Sequence, residues 1–534
     1  MDRRHFLLSG ASAGALAACS PWTRTSKTQI VRPGMSIGHR LRDAAGWPAP
    51  SAQIDTDVVI LGSGLAGLTA AWKLAREGHR RFVVIAGPEM GGNAAGGRHG
   101  SIAYPRGAHY LPLMSRESVH MRELHADCGV ITGDAYGDEP EYAETALVHA
   151  PRERLLINEQ WQEGLLPGEG ADGVASPALD KFFSAIEPYK HARGGDGRRA
   201  FVVPLDLSSR DPRFTLLDRL SFAAWLDREG HTAAPLRWYL DYVCRDEFGA
   251  PPARVSAWAG LHYFVARNGR GRNAGEGSVI TWPDGLGSLA RMLMAKVDTR
   301  NGAGWMRDGV AVRVDEKRAG VEALCVDNDG ASSFVVRARR AICAMPLHVA
   351  TNVVTSFAGY GFDRAHLPPQ APWLVSNFAL RHMPAEKTDF PLAWDNVVYG
   401  SKGLGYVVAT HQQILQAPPV ESVFTAYNAL CERAPAETRA WLVNAADAEL
   451  EAAASADLVA AYGKRVWRHV QKLEITVRGH GMATPEPGFL SNRGLAALRA
   501  ADRRILFAHG DLSAYSVAEE AAWWGYRAAI RVLL

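Results

Sequence analysis

The hydrophobic pattern is sharpest near residue 60. Val58-Val59-Ile60-Leu61 is a continuous apolar run of the kind needed by a strand covered on both faces. Leu65, Leu68, Trp72 and Ala75 then recur at three- and four-residue intervals, which predicts a helix. Phe82 to Ile85 repeats the buried-strand pattern beyond Gly78. Between the first strand and the helix stands Gly62-x-Gly64-x-x-Gly67, so a glycine turn delivers the chain into a helix whose first N–H groups face a pyrophosphate. The spacing alone is weak in a chain with 52 glycines among 534 residues, and the flanking periodicities give it weight. Ile85 stands where an acidic side chain would hold a ribose, and Ala86-Gly87-Pro88-Glu89 offers no basic side chain for a 2′-phosphate. Later, Trp373 to Phe378 reads as a strand and Ala436 to Leu450 as a helical run, with no internal repeat.

The N-terminus has a different pattern. Arg3 and Arg4 precede an apolar stretch from Phe6 to Ala18, too short to cross about 30 Å of hydrocarbon as a helix. It reads as an export signal of twin-arginine type, and Leu16-Ala17-Ala18-Cys19 resembles a lipobox whose cysteine is acylated. An ordinary cleaved signal is the alternative. The expected location is the periplasmic or cell-surface side of a bacterial membrane, with residues 20–54, carrying four prolines, as a tether. Proteins on the twin-arginine route cross folded, often with a cofactor loaded. Gly10-Ala11-Ser12-Ala13-Gly14 matches a nucleophile elbow but lies inside the signal.

Composition narrows the partners. The 59 basic and 56 acidic side chains leave +3, so no overall field draws the chain to nucleic acid. Cys128, Cys244, Cys325, Cys343 and Cys431 are scattered and odd in number, which predicts buried thiols and no disulfide framework. No metal-binding spacing occurs among the 18 histidines. The run Arg267-Asn268-Gly269-Arg270-Gly271-Arg272 reads as a solvated loop.

From Gly91-Gly92 onward the chain resembles the flavin-containing amine oxidase and phytoene desaturase superfamily. Gly91-Gly92 matches its second glycine pair, Gly107-Ala108 a small pair near the flavin, and Pro283-Asp284-Gly285-Leu286-Gly287 its turn before a helix. Val310-Ala311-Val312, Phe334 to Val336 and Ala341 to Pro346 are similar to its returning sheet. Phe507-Ala508-His509-Gly510-Asp511, followed by a helix through Glu519 and Ala529, is the most specific match. The resemblance implies an α/β fold: a Rossmann-like FAD-binding domain built from three separated segments (55–130, 281–349 and 479–534), with an inserted α+β substrate domain (131–280 and 350–478). It implies non-covalent FAD held by Gly62, Gly64, Gly67, Gly91, Gly92, Val312 and Asp511, the last at the ribityl and pyrophosphate end, with the final helix aimed at the flavin.

Two amine-specific marks of that superfamily are missing. The strand Trp373–Phe378 has no lysine, and Val517 stands where an aromatic cage residue is usual. His109 and Tyr110 follow the glycine pair closely enough to face a flavin, His480 lies on the segment that crosses the flavin edge, and Tyr515 is a displaced aromatic wall. These four are the catalytic candidates, with hydrogen-bonded structural pairs as the plain alternative. The activity implied is oxidation of a C–N bond of a small amine, with dioxygen or a quinone as electron acceptor and a lipid anchor on Cys19. Alternatives are a flavin-dependent desaturase or isomerase of an apolar substrate, and a redox-inactive surface lipoprotein.

Overall fold

The computed structural model describes residues 26–43, 46–167, 176–386, 390–414, 416–417 and 419–534. The signal, the lipobox and Cys19 lie outside the described residues. Among the described residues no helix is long and apolar enough to cross a membrane.

Two large sheets organise the chain. In the first, strand Ala52–Leu61 pairs in parallel with Phe82–Ile85 on one side and Ser333–Cys343 on the other. Val59, Ile60 and Leu61 have no exposure, as strands covered by helices on both faces require. Helix Leu65–Arg76 packs on one face with eleven buried residues in succession, Leu65 to Ala75. Ser333–Cys343 has two partners at its far edge: its first half pairs antiparallel with Val321–Val326, and Ala341–Cys343 pairs in parallel with Ile505–Phe507. One strand therefore joins chain segments from three distant stretches. The expected three-segment nucleotide-binding fold is what forms.

The second sheet has eight strands, in the order Lys27–Val31, Val470–Ala483, Gln370–Leu380, Ser422–Ala429, Tyr406–Val408, Asp395–Val398, Glu153–Ile157 and Gln160–Glu163. Every residue of Gln370–Leu380 and Ser422–Ala429 is buried. A helical layer from Pro177 to Ala266 shares its core with the nucleotide-binding sheet, through Phe182, Phe222 and Trp258.

Three boundaries differ from the sequence reading. The described residues of the segment read as a tether form regular elements: Lys27–Val31 is an edge strand, Met35–Arg42 a helix, and Ala52 already begins the central strand. Lys27-Thr28-Gln29-Ile30-Val31 has no strand periodicity of its own and pairs in parallel with Val470–Ala483. That strand in turn runs through Ala483, so residues 479–483 belong to the second sheet. The run from Ala436 to Leu450 is two helices, Pro435–Asn444 and Asp447–Tyr462, because the Glu449 carboxylate accepts from the Ala446 N–H and starts a new one. The five described cysteines are free thiols; Cys244, Cys325 and Cys343 are buried, Cys128 and Cys431 partly so.

Candidate active site

The glycine turns meet at the C-terminal ends of the first two strands. Gly62 has φ +115°, and a Cβ at Gly67 would collide with the Gly62 carbonyl oxygen, so the helix can start this close to the strand only with glycine there. Gly64 bridges Gly91 in parallel; a Cβ on Gly64 would have no atom nearer than 4.0 Å, leaving open the face a phosphate approaches. Gly91 and Gly92 both lie at positive φ. Ser63 ties the two turns, its Oγ donating to the Ala86 carbonyl at 2.5 Å and accepting from the Gly91 N–H at 3.4 Å. Helix Leu65–Arg76 has no side-chain cap, and neither has Ala518–Leu533, so both present free N–H groups and positive dipole ends. This donor set suits a dinucleotide.

The other expected cofactor residues sit differently. Val312 falls at a bulge, where the register steps from Ala311 opposite Cys325 to Arg313 opposite Leu324, and it packs with Ile37 and Val326. Ile85 is 1% exposed, within its strand. Asp511 lies inside the wall rather than on it. Its Oδ2 accepts from the Leu347 N–H at 2.9 Å and its Oδ1 from Gln370 Nε2 at 3.1 Å, with His509 Nδ1 at 3.4 Å. Burial would raise its pKa, but His509 and the Leu347 N–H more than offset this and hold the carboxyl well below the usual range. Asp511 thus ties its own segment to Leu347 of the middle nucleotide-binding segment and to the Gln370–Leu380 strand of the second sheet.

A cavity of about 170 Å³ lies between the sheets. Its base is Gly107-Ala108 and the first turn of the last helix, Val517 to Glu519. Trp373 and Tyr427 enter from adjacent strands of the eight-stranded sheet, and Asp246, Glu247 and Arg267 close the opposite side from helix ends. His109 and Tyr110 are on this wall. The His109 ring stacks on Tyr427 with centroids 4.4 Å apart and lies 5.5 Å from Trp394, and burial pulls its pKa down to about 3, so it is neutral. Tyr427 is fixed through its hydroxyl, which donates to the Gly107 carbonyl at 3.0 Å.

Neither of the other two catalytic candidates reaches this cavity wall. Tyr515 is buried behind it, donating to Glu247 Oε1 at 3.3 Å, with His262 Nδ1 at 3.2 Å. His480 stacks on His348 with centroids 4.1 Å apart, on the far side of Gly481 and Met482, which do line the cavity.

The acidic side was not foreseen. Glu247 accepts from Arg267 Nη2 at 2.5 Å, so this pair is neutral overall. Arg267, read as part of a solvated loop, is held in the wall by Glu247 and by the face of Tyr263, 4.3 Å away. Arg270 and Arg272 are exposed as expected. Asp246 makes no ion pair among the described residues; Tyr110 donates to its Oδ2 at 3.4 Å. Burial and the neighbouring Glu247 push its pKa up to about 7. Asp395 stands opposite Glu153 in the parallel register, and burial and then Asp246 push its carboxyl well above the usual range, toward the neutral form. One helical signal was available: Asp246 and Glu247 occupy the last turn before Gly249, where the helix dipole disfavours acids. Such a placement needs another reason.

Comparison with known proteins agrees with this architecture. Residues 60–128 match the NAD(P)-binding Rossmann-like domain family. An L-amino acid dehydrogenase from Synechocystis sp. is 22% identical over 339 residues, which are 61% of this chain and 62% of that protein. Putrescine oxidase superposes with a TM-score of 0.63 at 14% identity, covering 90% of this chain and 99% of that one. Cyclohexylamine oxidase from Brevibacterium oxydans gives 0.60 at 16%, covering 90% and 98%, and a fatty acid isomerase from P. acnes 0.57 at 14%, covering 90% and 99%. These likenesses establish the fold.

Proposed function

Because this chain carries the fold of the flavin-containing amine oxidase and phytoene desaturase superfamily, we propose that it is an FAD-dependent oxidoreductase that oxidises the C–N bond of a small amine. The glycine turns and the uncapped helix ends fit a dinucleotide, and the cavity at the last helix fits a substrate beside the redox ring. FAD supplies a hydride acceptor when bound. The chain's own residues deal with the substrate's charge and with water.

One observation carries the amine reading: Asp246 faces the cavity with no cation of its own, while the neighbouring Arg267 is already neutralised by Glu247. An amine arrives as an ammonium ion, and its carbon releases a hydride only after the nitrogen has lost a proton. The Asp246 carboxylate attracts the cation and takes that proton, becoming a carboxylic acid as the amine becomes neutral. Tyr110 orients the carboxylate, and Trp373, Tyr427 and the neutral His109 give an aromatic surface that favours a cation and excludes water. A fatty-acid carboxylate would instead meet the negative charge of Asp246, which weighs against an apolar acid as substrate. Electrons leave to dioxygen or a quinone, and the N-terminal signal supports export and anchoring through Cys19.

The test is anaerobic mixing of the purified protein with alkylamines, diamines and fatty acids while its visible spectrum is followed. Yellow protein that releases intact FAD on heating, and that bleaches with amines only, is the expected result. Colourless protein that refuses added FAD overturns the cofactor; bleaching by no amine overturns the substrate class.

A further inference from the structure

The segment read as a tether crosses the place where a dinucleotide keeps its adenosine. That half of such a ligand lies beyond the C-terminal ends of the first two parallel strands, next to the glycine turn. Here its walls are the Ala86-Gly87-Pro88 loop after Phe82–Ile85 and the bulge at Val312. The N-terminal chain touches both. Strand Lys27–Val31 runs beside Val470–Ala483, with Val31 opposite Thr476. The chain then turns at Gly34, at φ +69°, where a Cβ would lie 2.8 Å from Pro88 Cγ. Helix Met35–Arg42 follows, and its single buried residue, Ile37, packs on Val312 and Val326. Arg40 pins the far end, donating to the Gly330 carbonyl at 3.1 Å and lying over Trp47 at 4.3 Å. Between strand and turn, Arg32 has a buried Nε without a hydrogen-bond partner, a donor left over inside the protein.

We propose that residues 26–43 form a strap that encloses the adenosine half of the cofactor, docked through Ile37 on Val312 and Val326, with Arg32 as a cation for the pyrophosphate. The inference rests on the reading that this chain binds FAD at its glycine turn. It accounts for Ile85: where an acid would grip the ribose by charge-assisted hydrogen bonds, this chain covers the nucleoside with a second layer and binds it by burial. It also assigns the strap a second task, since its strand belongs to the substrate-side sheet and its helix to the nucleotide side.

Full-length parent, Gly34→Val and Ile37→Asp proteins are loaded with FAD and diluted, and release is followed by the rise in flavin fluorescence. The first substitution lifts the turn from Pro88; the second puts a charge where the helix docks on Val312 and Val326. Both variants should release FAD roughly tenfold faster than the parent, while FMN, which lacks adenosine, binds all three alike. FAD should also slow tryptic cleavage after Arg42 in the unsubstituted protein where FMN does not, a readout that requires no variant to fold. Unchanged or slower FAD release, or equal protection by FMN, overturns the strap. A parent that binds neither flavin overturns the underlying cofactor reading instead.

Discussion

Two carboxylates mark the difference between the halves of this molecule. Asp511, on the nucleotide side, is buried and supplied with donors, the Leu347 N–H and the Gln370 amide, with the His509 ring beside it. Asp246, on the substrate side, has one long bond from Tyr110 and an acidic neighbour. Their pKa values move in opposite directions for that reason. A fully satisfied carboxylate holds segments together; a carboxylate left short of partners stores unfavourable energy that a cationic ligand relieves. The first half is built to stay closed, the second to receive something.

The strongest way to break this contrast is at the glycine turn. Gly67→Val forces a side chain into the Gly62 carbonyl and should lower stability by about 3 kcal/mol or more, with flavin absent from the purified protein. Melting temperature and the flavin-to-protein ratio measure both effects. Next, Asp246→Asn should leave flavin content intact while reducing amine turnover by roughly 10²–10⁴-fold. In the parent, kcat/KM should rise with pH up to about 7 as the Asp246 carboxyl ionises, and this limb should vanish in the variant.

Smaller effects test the opposed signs. Asp511→Ala leaves the buried Leu347 N–H without its acceptor and should destabilise by about 1–3 kcal/mol at neutral pH. Because the folded pKa is depressed, the stability from Asp511 is present above its unfolded value and is lost as the solution is acidified through the folded one, so parent and variant should converge in acid. Asp246 works the other way. Its folded pKa lies above the unfolded one, so its ionisation weakens the fold progressively between about pH 4 and 7. Asp246→Asn should therefore stabilise the protein at pH 8 and change little at pH 4. Chemical denaturation across this range distinguishes the two.

What could be read in the sequence follows the same division. The nucleotide side recognises its ligand with backbone, and backbone demands glycines at fixed spacing, so Gly62, Gly64, Gly67, Gly91 and Gly92 stand out in the chain and come together in space. Buried strands such as Phe82–Ile85 show as unbroken apolar runs because both faces are covered. The cavity recognises with side chains from separate segments: Tyr110 after one glycine pair, Asp246 and Arg267 from two helix ends, Trp373 and Tyr427 from two strands. No local spacing links them, and only the register of Gln370–Leu380 against Ser422–Ala429 brings the last two into proximity. The strand Lys27–Val31 is hidden on similar grounds, since a short edge strand that begins with three polar residues looks like a linker until its partner is known.

The thiols bear on the order in which this protein is made. Burial pushes Cys128, Cys325 and Cys343 up to about 12 and raises Cys244 well above its ordinary range, so at neutral pH the folded molecule offers almost no thiolate from these positions to an oxidant. That protection is tertiary. In an unfolded chain the same thiols revert to an ordinary pKa of about 8.5 and none has a designated mate, so threading the polypeptide into an oxidising space would invite random cross-links. If the chain is delivered to an oxidising space, finishing the fold first, in reducing surroundings, removes the hazard before any oxidant is met, and with no disulfide among the five described cysteines the timing of folding then does the work that bridges do in secreted proteins.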